Sequence, residues 1–321
     1  MDASQTVPKV FVEGWSPSYR SAYLVAADDE QMGAPAELVE DDMLRAYQAI
    51  DDGSFARLAF VDGVRRTEAS LYQLVDDRYV RGIAGAFACG CALVDRASAA
   101  SFGPSIVQRS VIWGSGATGP LLSVRGNWSW ETVSVAGDDP QAPLAALQSR
   151  MRLAEGRLAE SVAVDGALVV ADGPLNFSLR SHRAIVGYVK SHHRALLAPS
   201  DHARVANLCA GQRSSIFRIG DERYSCYLRL TDDALSGPWA GIVRLEFSAT
   251  LGVAAAAALA NTLSARLPRF AGVAHRDPRA PQNLQPIGAL EDALRRRLGS
   301  DMLALRAVRE SVRAHQNGAV A

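Results

Sequence analysis

The sequence reads as a mixed α/β protein, a mixed sheet flanked by helices and carrying a β-rich insertion. Three patterns carry that reading. Apolar runs of strand length crowd residues 56 to 94 and recur from 167 onward; a long amphipathic helical repeat, Gln141 to Val164, stands between them; and the last third of the chain alternates strand runs with further helical repeats. With 321 residues and 48% hydrophobic content the chain can bury a sizeable core. Its formal net charge is zero, so any contact with nucleic acid must come from local patches rather than a global field. Basic residues are nearly all arginine, Lys9 and Lys190 being the only lysines.

Residues 1–40 show no period and contain Gly14, Pro17, Gly33 and Pro35, so they read as an irregular lead-in to a single domain over 41–321. From Asp41 the spacing of Met43, Leu44, Tyr47 and Ile50 predicts a short helix closed by Asp51-Asp52-Gly53. Three strands follow, Ala56 to Val61, Thr67 to Leu74 and Tyr79 to Val94, joined as an antiparallel meander by Asp62-Gly63-Val64-Arg65-Arg66 and Val75-Asp76-Asp77-Arg78. Residues 100–138 hold strand pieces at Ile106 to Ile112, Leu121 to Val124 and Trp128 to Val135, broken by Gly114-Ser115-Gly116. This is an insertion that extends the sheet or folds over it. Leu144, Leu147, Met151, Leu158 and Val162 recur at three- and four-residue steps and make Gln141 to Val164 the clearest helix. The run Ala167 to Ala171 is a buried strand stopped by Asp172-Gly173-Pro174. Later strands fall at Ala184 to Val189, Ser215 to Ile219, Tyr224 to Leu230 and Gly241 to Phe247. The later helices fall at Asp201 to Leu208, Leu251 to Leu267, Ile287 to Leu298 and Asp301 to His315.

Four cysteines and an N-terminus without a basic start or an apolar core of signal-peptide length favour a reducing, cytoplasmic setting. The longest apolar run, Gly252 to Ala260, is too short to span a bilayer.

The chemistry concentrates around Asp172. Two strand runs close on Asp-Gly, Leu58 to Val61 into Asp62-Gly63 and Ala167 to Ala171 into Asp172-Gly173. Each aspartate taken singly reads first as a turn former. Glu155 changes the balance: it lies inside the apolar stripe of the long helix, between Met151 and Leu158, and so faces the sheet. A buried carboxylate is costly unless compensated, and a cation is the usual compensation where carboxylates converge. The order strand-Asp62, further strands, helix-Glu155, strand-Asp172 is that of an RNase H-like core, in which the first and fourth strands lie side by side under the first helix. One or two Mg²⁺ or Mn²⁺ ions would take these carboxylates as ligands, activate a water and neutralise charge developing on a phosphodiester.

Val61-Asp62-Gly63, the helix with Arg152 and Glu155, Ala171-Asp172-Gly173-Pro174-Leu175, Val186-Gly187-Tyr188-Val189-Lys190-Ser191 and Pro281-Gln282-Asn283-Leu284-Gln285-Pro286-Ile287 before a helix together resemble the NurA nucleases. Their order and spacing carry the resemblance, from about Phe60 to the tail. It implies an RNase H-like fold, Mn²⁺-dependent DNA cleavage by exonuclease and single-strand endonuclease action in DNA end processing and break repair, a homodimer, and a HerA-type hexameric translocase as partner. It also implies Asp62, Glu155 and Asp172 as the metal ligands. The sequence departs from the archaeal pattern at the C-terminal end, where a Tyr-Pro segment and a following histidine are expected; here Gln285 precedes Pro286, the next helix has no histidine, and His275 or Asp277 just upstream are the candidate substitutes.

Lys190, with Arg180, Arg183, His192, His193 and Arg194 near it, forms the most basic neighbourhood beside Asp172, and Lys190 reads as a phosphate contact. Cys89 and Cys91 share a strand face but lack zinc partners, Trp128 and Trp130 read first as packing, and Gly114 to Gly119 lacks the Lys-Ser/Thr ending of a phosphate loop. Arg295-Arg296-Arg297 point around different sides of a helix and offer modest support to DNA or partner contact. Two rivals to the nuclease reading are a non-catalytic adaptor of the same fold docked on a translocase, suggested by Gln285 and the zero net charge, and an RNase H-like sugar or acyl kinase, opposed by the missing phosphate loops.

Overall fold

The computed structural model describes residues 35–75, 78–96, 98–119, 128–178, 180–192, 195–232 and 237–318. The expected strand Leu121 to Val124, the turn at Asp76-Asp77, most of the lead-in, His193 and Arg194 lie outside them. In chain order the elements are β1 (Ala46–Gln48), β2 (Arg57–Val75), β3 (Arg78–Asp95), β4 (Ser101–Trp113), β5 (Glu131–Ser134), α1 (Ala142–Val164), β6 (Leu168–Asp172) and β7 (Ile185–Val189). After them come α2 (Pro199–Val205), β8 (Gln212–Ser214), β9 (Phe217–Ile219), β10 (Arg223–Arg229), β11 (Ile242–Ser248), α3 (Val253–Arg266), α4 (Gln285–Leu298) and α5 (Asp301–Gly318). Among the described residues no helix is long and apolar enough to cross a membrane.

By packing, the chain divides into two compact units, one holding the described residues up to Ser54 and Tyr188–Gln285, the other Phe55–Gly187 and the described residues from Pro286 on. The second unit carries the mixed sheet, in the order β7-β6-β2-β3-β4-β5, with Ile185 to Gly187 of β7 belonging to it. β2 and β3 form a long antiparallel hairpin, and β2 pairs in parallel with β6 from Leu58↔Leu168 to Val61↔Ala171. β4 and β5, from the stretch read as an insertion, extend this sheet at its far edge.

The expected meander of three strands is two. β2 runs unbroken through Asp62-Gly63, with Asp62 opposite Gly90 and Gly63 opposite Cys89. The Asp-Gly turn signal loses here because eighteen paired positions on β3 hold the backbone extended, and Gly63 keeps a negative φ. Likewise, the helix expected from Asp41 is absent: this stretch is irregular apart from β1, whose edge pairing Ala46↔Ser214 to Gln48↔Gln212 takes precedence over the helical spacing. Tyr47 fixes it further, donating to Asp41 at 2.6 Å under the Arg213 guanidinium. The strand read as Ser215 to Ile219 is the shorter β9, and β8 ends just before that stretch at Ser214.

In the second unit helices cover both faces of the sheet. α1 lies over the side chains of Ala59, Val61, Phe87, Cys89 and Val169, burying Leu147, Met151, Leu158 and Val162 against them. The alternate side chains point the other way. There α5 sets Ala307 and Val308 against Ala84, Val111, Trp113 and Trp130, and the Gly90 backbone receives Leu290 and Leu294 of α4. The C-terminal end of α4 is tied down: Arg66 donates to the carbonyls of Gly299 (2.7 Å) and Leu298 (3.1 Å), and Arg109 to that of Leu298 (2.8 Å). Both guanidiniums rest on buried Glu68, which also accepts from Trp130 Nε1 at 3.1 Å.

The other unit orders its strands β1-β8-β10-β11, with β9 on β10, around a core of Leu44, Val205, Phe217, Tyr227 and Ile242. Its buried Arg213 meets Glu40 through both terminal nitrogens at 2.8 Å.

Candidate metal centre

Parallel pairing of β2 with β6 places Asp62 and Asp172 next to each other, one position beyond Val61↔Ala171. Side-chain alternation then decides their direction. Val61 and Val169 pack under α1, so Asp62 and Asp172 project from the opposite face, the one that α4 covers. On α4 the residues Ile287, Leu290, Glu291, Leu294 and Leu298 are buried, three- and four-residue steps that put Glu291 on the core-facing stripe. The result is a buried triad: one carboxylate oxygen each from Asp62, Asp172 and Glu291, all within 4.8 Å of one another.

Glu155 reaches the same end of the sheet from the α1 side. It is buried but not a member of the triad. Its Oε2 accepts from Arg152 Nη1 at 2.8 Å, and the same nitrogen donates to the backbone carbonyl of Asp172 at 2.8 Å. Arg152 also lies 3.3 Å from where a Cβ on Gly173 would stand, and Gly173, at φ +100°, makes the left-handed turn by which the chain leaves β6. Oε1 of Glu155 has no hydrogen-bond partner among the described residues. Burial pushes the Glu155 carboxyl above its ordinary pKa, Arg152 opposes that, and the charge of Asp172 adds to it. Next to it the Cys89 thiol is pushed far up by burial and by the charges of Glu155 and Asp62. Cys89 and Cys91 are core residues, as their sequence context indicated.

Buried like charges at this separation repel by about 4 kcal/mol per pair even at an effective dielectric of 20. Arg295, donating to Glu291 Oε2 at 3.0 Å, relieves this little, because its side chain is 56% exposed and shared with Asp292. The donor set fits a hard divalent cation. Oxygen ligands of one ion at 2.1–2.4 Å lie at most about 4.8 Å apart, the spread of this triad.

The triad contains two of the three carboxylates singled out from the sequence and one that was passed over. Glu291 carried the same signal as Glu155, a carboxylate inside an apolar helical stripe. Lys190, His275 and Asp277 belong to the other unit. Lys190 is buried there and donates to Asn283 Oδ1 at 2.9 Å; Asn283 in turn donates to Asp277 Oδ2 at 2.6 Å. Arg279 occupies the rest of Asp277, whose pKa, raised by burial, ends below the ordinary value through these bonds. His192 bonds the Ile242 carbonyl at 2.9 Å and packs on Tyr227 and Trp239. Trp130 is buried on Glu68, and Trp128 lies under Arg109.

No family model matches the sequence, and no curated protein does. Among solved structures the chain matches the NurA nuclease from Sulfolobus solfataricus. The chain is similar to a NurA nuclease. The match covers 93% of this chain and 94% of that one, at 13% identity and a TM-score of 0.43.

Proposed function

We propose that this protein is a metal-dependent nuclease that hydrolyses DNA phosphodiesters. The carrying observation is the buried triad Asp62, Asp172 and Glu291, whose cluster of like charges calls for a cation and whose oxygens suit Mg²⁺ or Mn²⁺. A bound divalent cation supplies charge neutralisation at phosphorus and a water of lowered pKa. The triad holds that cation between β2, β6 and α4. Glu155 is the further oxygen donor, through its Oε1, and Arg152 fixes both Glu155 and the Asp172 backbone so that the carboxylates keep their mutual positions. The sequence resemblance supports an RNase H-like core, a homodimer and a HerA-type translocase partner.

The test is cleavage of end-labelled single- and double-stranded DNA by the full chain with Mn²⁺, with Mg²⁺ and with EDTA. Cutting is expected with either ion and none with EDTA. A protein that neither cuts nor takes up Mn²⁺ by calorimetry is the non-catalytic adaptor instead. Glu291→Gln separates this centre from one built on Glu155 alone. It keeps the shape of the side chain and is expected to weaken Mn²⁺ binding at least about tenfold, as even outer-shell changes do; unchanged affinity removes Glu291 from the centre.

A further inference from the structure

Glu160 of α1 and Phe177, Ser178, Arg180, His182 and Arg183 from the stretch between β6 and β7 line an open pocket of about 530 Å³. Phe177 is 48% exposed, a large apolar ring in the wall rather than in the core. It is seated where it is by Gly156, on which a Cβ would come within 2.7 Å of Phe177 Cβ. Arg180, His182 and Arg183 are exposed around it; Glu160 pairs with Arg183 at 3.3 Å and leaves the lining basic.

A cavity of this size takes one small organic group. An open aromatic face among guanidiniums suits a flat π-system joined to an anion, and an unpaired nucleotide has both. A duplex keeps its bases stacked inside and offers this wall only phosphate. We propose that this pocket holds one unpaired nucleotide of the substrate strand, its base on Phe177 and its phosphate on Arg180 and Arg183. This site rests on the nuclease reading for what is done to the strand, but not for binding it.

Binding is therefore measured in EDTA, where nothing is cut. Fluorescence anisotropy follows labelled oligodeoxythymidine, oligouridine and a blunt duplex on the wild type, Phe177→Ala, Phe177→Trp and Arg180→Ala. Loss of one stacked base is expected to weaken single-strand binding by Phe177→Ala about tenfold. Phe177→Trp should restore it, and the duplex should change less than twofold. Arg180→Ala should lower the slope of log affinity against log salt by about 0.7 on single strands. A loss on both oligonucleotides assigns the pocket to base and phosphate, and a loss on oligodeoxythymidine alone assigns it to DNA. Unchanged single-strand affinity, or an equal loss on duplex, overturns the proposal, and should Phe177→Ala not fold, Phe177→Trp and Arg180→Ala decide. A protein that passes this test yet cuts nothing with metal keeps the pocket and loses the nuclease; one that cuts with metal and fails here loses only the pocket.

Discussion

Asp172→Asn is expected to remove metal-dependent cleavage while leaving the protein folded. Asparagine fills the same volume at the end of β6, so the parallel pairing with β2 and the turn at Gly173 stay as they are. One negative charge leaves the triad, and the metal-free protein is relieved of the repulsion that a carboxylate there exerts on Asp62 and Glu291. Its thermal stability in EDTA should match or exceed the wild type's. On the proposed reading the cation would lose one of its three carboxylate ligands, and activity should fall by more than the roughly 100-fold that outer-shell changes produce. Scanning fluorimetry gives a second readout. Mn²⁺ at a hundred times its dissociation constant stabilises a binding protein by about 2.7 kcal/mol, a rise of several degrees in Tm for a chain of this size. The wild type should show that rise and Asp172→Asn should not. Wild-type cutting and a wild-type Mn²⁺ shift in the variant would end the assignment of Asp172 as a ligand.

The centre was partly legible in the sequence because its logic is local. Asp62 and Asp172 each follow an apolar run, and Glu155 sits inside a helical stripe; burial of a carboxylate is visible in such patterns. What the patterns do not encode is which face of the sheet a strand residue points from relative to a helix far along the chain. That depends on the alternation around Val61 and Gly63 and on α4 packing at Gly90. Glu291 therefore showed the same signal as Glu155 without showing its destination. The long helices were legible for the same reason as Glu155, since α1, α3, α4 and α5 fall where the three- and four-residue spacing puts them. The misreadings were of short-range signals overruled by pairing: Tyr47 and its neighbours left the helical pattern for the edge of β8, and Asp62-Gly63 stayed within a strand.

That last case makes Gly63→Ala the most informative stability variant. A glycine needed for a turn tolerates alanine according to its φ, whereas Gly63 is extended and already compatible with a side chain. Its reason for being glycine is space. A Cβ there would stand 3.0 Å from both Cys89 Sγ and Met151 Cγ and would collide with Glu155 Oε1. Overpacking of this kind costs about 1–3 kcal/mol. Moving Glu155 off Arg152 adds to it, because breaking a buried ion pair leaves an uncompensated charge. The expected loss is about 2–4 kcal/mol, read as a lower urea midpoint at an unchanged m-value. Adding Cys89→Ala removes one of the blocking atoms and should return part of the loss, although the same substitution alone is destabilising by the cavity it leaves. A Gly63→Ala protein that unfolds at the wild-type urea concentration would mean that α1 can move away from β2, and Glu155 could then not be held beside Asp172 by packing.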